Sequence, residues 1–199
     1  LGLAAALLPL LVLKYSGMLV PGLRDLYKPF GLAYYSLQLA GYLLDVWHGR
    51  TAPTPSYARL WCYAGFFLSL TQGPFNRYNT LMPQLEAAPK TFETQRLVSG
   101  LQRSAWGYFK KFAIADRAAI VVSAAFADPA SFDRSQLIFA TVMYSFQLYA
   151  DFSGYTDIVL GMGEILGLHL PENFRQPFFS ASVKELWACL LYTSPSPRD

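Results

Sequence analysis

The sequence has little charge. Only 15% of its 199 residues are Asp, Glu, Lys or Arg, whereas soluble domains carry about 25%. Hydrophobic residues make up 53% of the chain, and the mean hydropathy is +0.25. Because a water-exposed surface needs more charged side chains than this, the composition argues against a soluble protein and for a membrane protein. The small net charge of +3 gives no support to nucleic acid binding.

Histidine and cysteine are equally scarce, with two residues of each. Cys62 and Cys189 lack the spacing of metal ligands, so we expect ordinary buried thiols and no metal site. His48 comes just before a proline-rich loop, and His169 stands close to Pro171 at a predicted helix end. We expect both histidines to be interfacial or loop residues and not general bases.

Apolar segments are abundant, and several approach the length of about 20 residues that a membrane-spanning helix needs. The chain opens on Leu1 within one of them, so we expect the remnant of a longer helix. A short amphipathic helix is predicted in the polar region 79–103. The pattern predicts an all-α protein, a polytopic transmembrane helical bundle with short interfacial helices. The apolar or mixed segments are residues 1–13, 30–46, 57–70, 104–126, 136–149 and 156–168.

Polar side chains interrupt an apolar and aromatic stretch, residues 144–177. At the centre of a bilayer an acidic side chain costs about 2.5–3.5 kcal/mol on insertion scales. Such residues usually face a protein interior or a water-filled cavity, and they often serve transport or catalysis. The interrupting residues are Gln147, Asp151, Ser153, Asp157 and Glu164.

The spacing of these residues predicts a break in the helix that carries them. Gln147 and Asp151 share a helical face, as do Ser153 and Asp157. On an unbroken helix, however, Asp151 and Asp157 would point about 120° apart. We therefore predict a break at Ser153 and Gly154 beside a polar membrane cavity. From the residues alone, such a cavity fits either a secondary transporter or an intramembrane enzyme.

Five stretches of the chain together carry a family resemblance. They resemble, in order and spacing, the membrane-bound O-acyltransferase family, in the branch of the bacterial alginate O-acetyltransferase and the teichoic acid D-alanyl transferase. The resemblance covers nearly all of residues 1–187, so we predict that residues 1–188 form part of the family's transmembrane domain. The motifs are YLLDVWHGR (42–50), QGPFNRY (72–78), WGYFKKFAIADR (106–117), YSFQLYADFSGYTDI (144–158) and LGLHLPENFRQPFFSASVKELW (166–187).

The resemblance implies a multi-pass enzyme of the bacterial cytoplasmic membrane, in contact with lipids and containing a tunnel. It would move an acyl group, in the first place acetyl, from a thioester donor to a hydroxyl of an exported polysaccharide or cell-envelope acceptor. The donor, acyl-CoA or an acyl carrier protein, would be a co-substrate, and transfer would be direct or through a partner transferase. We expect six substrate-binding residues, four lining or bracing the tunnel and two holding the next loop: Gln147, Asp151, Ser153, Asp157, Asn173 and Arg175.

The end of the sequence departs from the family pattern. In the family, Glu-Phe-Trp continues into Arg-Arg-Trp-His, whereas here Glu185-Leu186-Trp187 is followed by Ala-Cys-Leu-Leu. Leu191 therefore occupies the position expected for the catalytic histidine. Residues 189–199, CLLYTSPSPRD, resemble a translated sequencing adapter and are predicted to be a non-native tail. We expect a fragment that is inactive by itself.

Overall fold

The computed structural model describes residues 2–19, 31–70, 73–87 and 93–172. Within these ranges the protein is helical and contains no β-strand, which confirms the all-α prediction. The chain divides into two compact units, Leu1–Pro89 and Lys90–Asp199. The helices are α1 (Gly2–Leu19), α2 (Leu32–Trp47), α3 (Tyr57–Ala64), α4 (Tyr78–Glu86), α5 (Thr94–Phe109), α6 (Asp116–Ala127) and α7 (Arg134–Ile165).

The predicted apolar segments are only partly reproduced as helices. Residues 57–70 split into α3 and a short 3-10 turn, Phe67–Ser69, and the polar region from residue 79 holds most of α4 and the start of α5. In the ranges that the structure describes, we find no helix that combines the length and apolar character needed to cross a membrane. The polytopic arrangement therefore stays a prediction.

The first unit is built around tyrosine rings. α1 and α3 both pack against α2, and α3 also contacts α4. Tyr42 and Tyr63 are buried, and the ring of Tyr78 lies 5.0 Å and 5.3 Å from theirs. The Tyr63 hydroxyl donates to the backbone carbonyl of Asn76 at 2.7 Å. These contacts hold the loop before α4 against α2 and α3. The hydrogen bond forms because a buried tyrosine hydroxyl needs a partner.

The second unit is dominated by α7, which packs against α5 and α6 and the residues that join them. α5 continues through a π-helical segment, Lys110–Ala115, directly into α6. α7 begins at a reciprocal cap. The Asp133 carboxylate accepts from the Ser135 backbone amide at 3.4 Å, and the Asp133 amide donates to the Gln136 side chain at 2.9 Å. Such a capping box satisfies helix-end amides and defines where the helix starts.

The predicted helix break at Ser153 and Gly154 is wrong. α7 runs without interruption from Arg134 to Ile165. Glycine inside a helix costs about 1 kcal/mol relative to alanine, but here the missing side chain has a use. A Cβ atom on Gly154 would lie 2.8 Å from the carbonyl oxygen of Gly107 on α5. The glycine therefore permits close helix packing instead of ending the helix.

Candidate functional site

The candidate site forms where α5 crosses α7. A Cβ atom on Gly107 would lie 2.5 Å from the carbonyl oxygen of Gly154, and one on Gly100 would lie 2.5 Å from that of Gly161. The higher-numbered glycine of α5 meets the lower-numbered one of α7, so the helices are antiparallel. The two backbone contacts lie about two helical turns apart on each helix. Together they fix the register of one helix on the other.

Two adjacent lysines of the π-helical segment bind the two aspartates of α7. Lys111 Nζ donates to Asp151 Oδ1 at 2.5 Å, and Lys110 Nζ donates to Asp157 Oδ2 at 2.5 Å. The aspartates point about 120° apart around α7, and each binds a different one of the two lysines. Each carboxylate therefore has its own cationic partner, and no helix break is needed.

One of these pairs extends into a longer network, which we call the charge chain: Lys110, Asp157, Arg103 and Glu172. Arg103 Nε donates to Asp157 Oδ1 at 3.3 Å, and Arg103 Nη2 donates to Glu172 Oε2 at 2.7 Å. Side-chain exposure rises from 17% at Asp157 to 49% at Glu172. The charge chain thus alternates in sign and runs from the helix crossing to the surface.

The Arg103 guanidinium lies between two carboxylates, those of Asp157 and Glu172. Burial lowers the pKa of this guanidinium, but Glu172 and Asp157 raise that pKa by more. The two carboxylates thus stabilise the charged form of Arg103.

A polar cleft of about 440 Å³ lies beside the charge chain. Its polar lining comes from Arg96, Arg103, Glu164, His169 and Glu172. Ser99 Oγ donates to Glu164 Oε1 at 2.5 Å, which orients that carboxylate. Imidazole and carboxylate groups are common general bases, so the cleft carries proton-accepting groups that the predicted set of substrate-binding residues did not include. Among the described residues, no group of three or more His, Cys, Asp or Glu could hold a metal ion. The expectation of a buried thiol is wrong for Cys62, which is exposed.

Of the other predicted site residues, two lie on α7 and two lie outside the described residues. Gln147 Oε1 and Ser153 Oγ are buried and have no hydrogen-bond partner in the part of the chain that the structure describes. Unsatisfied buried polar atoms are uncommon and often mark a functional position. The two residues point about 120° apart around α7, so they do not converge on one point. The remaining candidates, Asn173 and Arg175, lie outside the described residues, as do Leu191 and residues 189–199.

Sequence reasoning missed the cations. Lys110, Lys111 and Arg103 were assigned no role, although they bind the aspartates that were singled out. The available signal was the pair of lysines flanked by aromatic residues in the motif 106–117. A carboxylate in an apolar helix needs a cation nearby, and these lysines were suitable candidates.

Comparison with known proteins gives three informative relatives. "Probable alginate O-acetylase AlgI" of Pseudomonas putida is 33% identical over 161 residues, which cover 80% of this chain and 32% of the relative. The peptidoglycan O-acetyltransferase of Helicobacter pylori is 28% identical, over 80% of this chain and 35% of the relative. The teichoic acid D-alanyltransferase of Bacillus subtilis is 28% identical, over 82% and 42%. No protein-family model matches the chain.

The chain spans about a third of the length of the alginate O-acetylases that it matches. Within each unit, two of the motifs that carry the resemblance contact each other. In the first unit, Asp45 of the motif 42–50 lies 3.8 Å from Arg77 of the motif 72–78. In the second unit, the two lysine–aspartate pairs join the motifs 106–117 and 144–158. On the relatives and on these motifs, the chain belongs to the membrane-bound O-acyltransferase family, in the branch of the alginate O-acetylases and teichoic acid D-alanyltransferases.

Proposed function

We propose that the protein is a multi-pass acyltransferase of the bacterial cytoplasmic membrane. It transfers an acyl group, in the first place acetyl, from a thioester donor to a hydroxyl of an extracytoplasmic polysaccharide or other cell-envelope acceptor. One observation carries this proposal. The relatives are named for acyl transfer involving alginate, peptidoglycan and teichoic acid, so they share the reaction although their acceptors differ.

The chemistry requires a general base. The base takes the proton of the acceptor hydroxyl as the acceptor oxygen attacks the thioester carbonyl carbon. The carbon–sulfur bond then breaks, the base returns the proton to the sulfur, and the donor leaves as a thiol. An imidazole suits this role because its pKa lies near neutrality. Leu191 stands where the family carries its histidine, so we propose that this chain does not supply the base and is inactive by itself. The donor, acyl-CoA or an acyl carrier protein, is a co-substrate and not a bound cofactor.

The predicted site residues divide into two kinds of role. Asp151 and Asp157 brace the helix crossing, because each binds a lysine of the neighbouring segment. Gln147 and Ser153 are the better candidates for substrate contact, because each presents a buried oxygen without a protein partner among the described residues. We assign Asn173 and Arg175 to the loop that precedes the catalytic segment, on the family resemblance alone.

The alternative function is a secondary transporter or a channel-like membrane protein with a polar site at a broken helix. α7 is continuous at Ser153 and Gly154, so the helix break that motivated this alternative does not support it. The alternative itself stays a prediction that the transfer assay tests.

The test is an acyl-transfer assay in membranes that contain the protein expressed from its complete gene. The membranes are incubated with radiolabelled acetyl-CoA and with the polysaccharide fraction of the host envelope. We expect alkali-labile label in the polymer, and loss of that label in an Asp151→Ala variant that inserts correctly. Arg59→Ala is the control, because Arg59 pairs with Glu86 at the surface of the first unit. Unlabelled polymer in the wild type, together with uptake of a solute, would contradict the proposal.

The proposed absence of the histidine has its own test. The nucleotide sequence that encodes residues 189–199 is compared with sequencing adapters, and the reading frame after Trp187 is determined in the source genome. We expect an adapter sequence, and an Arg-Arg-Trp-His codon series in the genome. A genomic sequence identical to residues 188–199 would refute the non-native tail and would require a different base.

A further inference from the structure

The chain that leaves α7 is held by a helix cap, by apolar burial and by one ion pair with α5. Gly167, at φ +74°, forms the helix cap, in which its amide donates to the Glu164 carbonyl at 2.9 Å. Leu168 is buried. Leu170 covers Gly163, because a Cβ atom there would lie 2.8 Å from Leu170 Cδ1. The ion pair joins Arg103 to Glu172, at 2.7 Å.

Glu172 is the last residue of this segment that the structure describes, and among the described residues its polar partner is Arg103 of α5. The helix cap and the contact of Leu170 with Gly163 hold the start of the segment on α7. The link from Arg103 instead relates the end of the described segment to α5, 69 positions earlier in the chain. The segment also lines the polar cleft, through Leu168, His169, Leu170 and Glu172, so this link holds one wall of the cleft against α5.

We propose that Arg103 is a positioning residue for acyl transfer, which acts by holding Glu172 and thereby fixing residues 166–172, one wall of the polar cleft, against α5. The proposal rests on the proposed function. Arginine suits this role because its planar guanidinium presents several donors in a fixed geometry and can bind two carboxylates at once. A lysine ammonium at the end of a flexible stem could hold Glu172 or Asp157, but it would orient them less well.

Loss of Arg103 should leave the helix crossing intact. Asp157 would still bind Lys110 at 2.5 Å, and the glycine contacts between α5 and α7 do not involve the Arg103 side chain. What the variant loses is the tether to Glu172. We therefore expect Arg103→Ala to fold and to insert, so its activity can be interpreted.

The kinetic experiment uses the protein expressed from its complete gene, in membranes, with acetyl-CoA as donor. We expect Arg103→Ala and Glu172→Ala each to lower kcat by about tenfold to a hundredfold with little change in KM, since misplacement by ~1 Å can cost about a hundredfold. Arg103→Lys should retain an intermediate kcat. The double variant Arg103→Ala/Glu172→Ala should be no slower than either single variant, because both changes remove one link. Arg59→Ala is the matched control and should keep the wild-type kcat.

A second readout does not depend on activity. Amide hydrogen exchange of residues 167–172 should be faster in Arg103→Ala and in Glu172→Ala, but unchanged in Arg59→Ala. Unchanged exchange would refute the tether. A wild-type kcat in both single variants, or additive losses in the double variant, would refute the positioning role. If the wild type itself transfers no acyl group, the proposed function fails and the positioning role fails with it, whatever the exchange result.

Discussion

Asp157 binds two cations, whereas Asp151 binds one. The Asp157 side chain is 17% exposed and pairs with both Lys110 and Arg103. The Asp151 side chain is 37% exposed and, among the described residues, pairs with Lys111 alone. Charged groups that lose a partner away from water are costly, and exposed pairs contribute little. The two aspartates of α7 should therefore differ in their importance for stability, although they look equivalent in the sequence.

We expect Asp157→Ala to lower the free energy of unfolding by about 2–3 kcal/mol, somewhat less than for a fully buried pair. Asp151→Ala should cost less than about 1 kcal/mol. Thermal unfolding of the detergent-solubilised protein measures both variants side by side. Equal losses of stability in the two variants would show that the burial of Asp157 does not determine how much it contributes to stability.

Ser153 offers a second test, because its buried hydroxyl has no protein partner among the described residues. Removing such a group should leave stability unchanged or raise it by up to about 1 kcal/mol. We expect Ser153→Ala to keep its thermal midpoint and to lose acyl transfer if the hydroxyl contacts a substrate. Ser123→Ala, on the exposed face of α6, is the control and should alter neither property. A large loss of stability in Ser153→Ala would instead indicate a structural hydrogen bond.

At the scale of the elements, the glycine contacts decide how α5 and α7 pack. A Cβ atom on Gly107 would meet the Gly154 carbonyl oxygen at 2.5 Å, whereas one on Gly41, inside α2, would meet nothing within 4 Å. We expect Gly107→Ala to destabilise the protein by about 2 kcal/mol or more through overpacking. Gly41→Ala should stabilise it by about 0.5–1 kcal/mol through helix propensity. Thermal unfolding checks the opposite signs, and a harmless Gly107→Ala would contradict the close crossing.

The cap at the start of α7 predicts a pH dependence. Hydrogen bonds from Ser135 and from the neighbouring backbone amides lower the pKa of the Asp133 carboxyl below its ordinary value. A lowered folded-state pKa gives stability that is present above the unfolded value of about 3.9 and is lost as the pH falls through the folded value. The difference in thermal midpoint between wild type and Asp133→Asn should shrink between about pH 5 and about pH 2. Asparagine also caps helices well, so the comparison isolates the effect of the carboxylate charge. A difference in thermal midpoint that does not change with pH would contradict the lowered pKa of Asp133.

At the scale of the whole molecule, apolar side chains remain exposed in both units. Leu8 and Leu11 of α1 are more than half exposed, and so are Ile120, Ile138 and Phe139 around the turn between α6 and α7. Large apolar patches on a protein surface usually contact a partner or a membrane. Lipid around this protein would cover these apolar side chains and keep them out of water.

We therefore expect the protein, expressed from its complete gene, to stay in the membrane pellet after extraction at alkaline pH. Such treatment releases proteins that are held to the membrane by charge alone, whereas apolar burial in lipid resists it. Immunoblotting of pellet and supernatant measures the distribution. Release into the supernatant would contradict the multi-pass arrangement.

The sequence by itself determined that the protein is helical and to which family it belongs. Both follow from composition, periodicity and five motifs in order, and none of these depends on how distant residues meet. It also identified Asp151 and Asp157 as residues that need a reason to lie in an apolar helix. Only the tertiary structure decided what that reason is and whether α7 breaks. Lys111 lies 40 positions from Asp151, and Gly107 lies still farther along the chain from Gly154. The helix stays whole because the crossing of α5 brings two lysines to the two aspartates and a glycine backbone against Gly154.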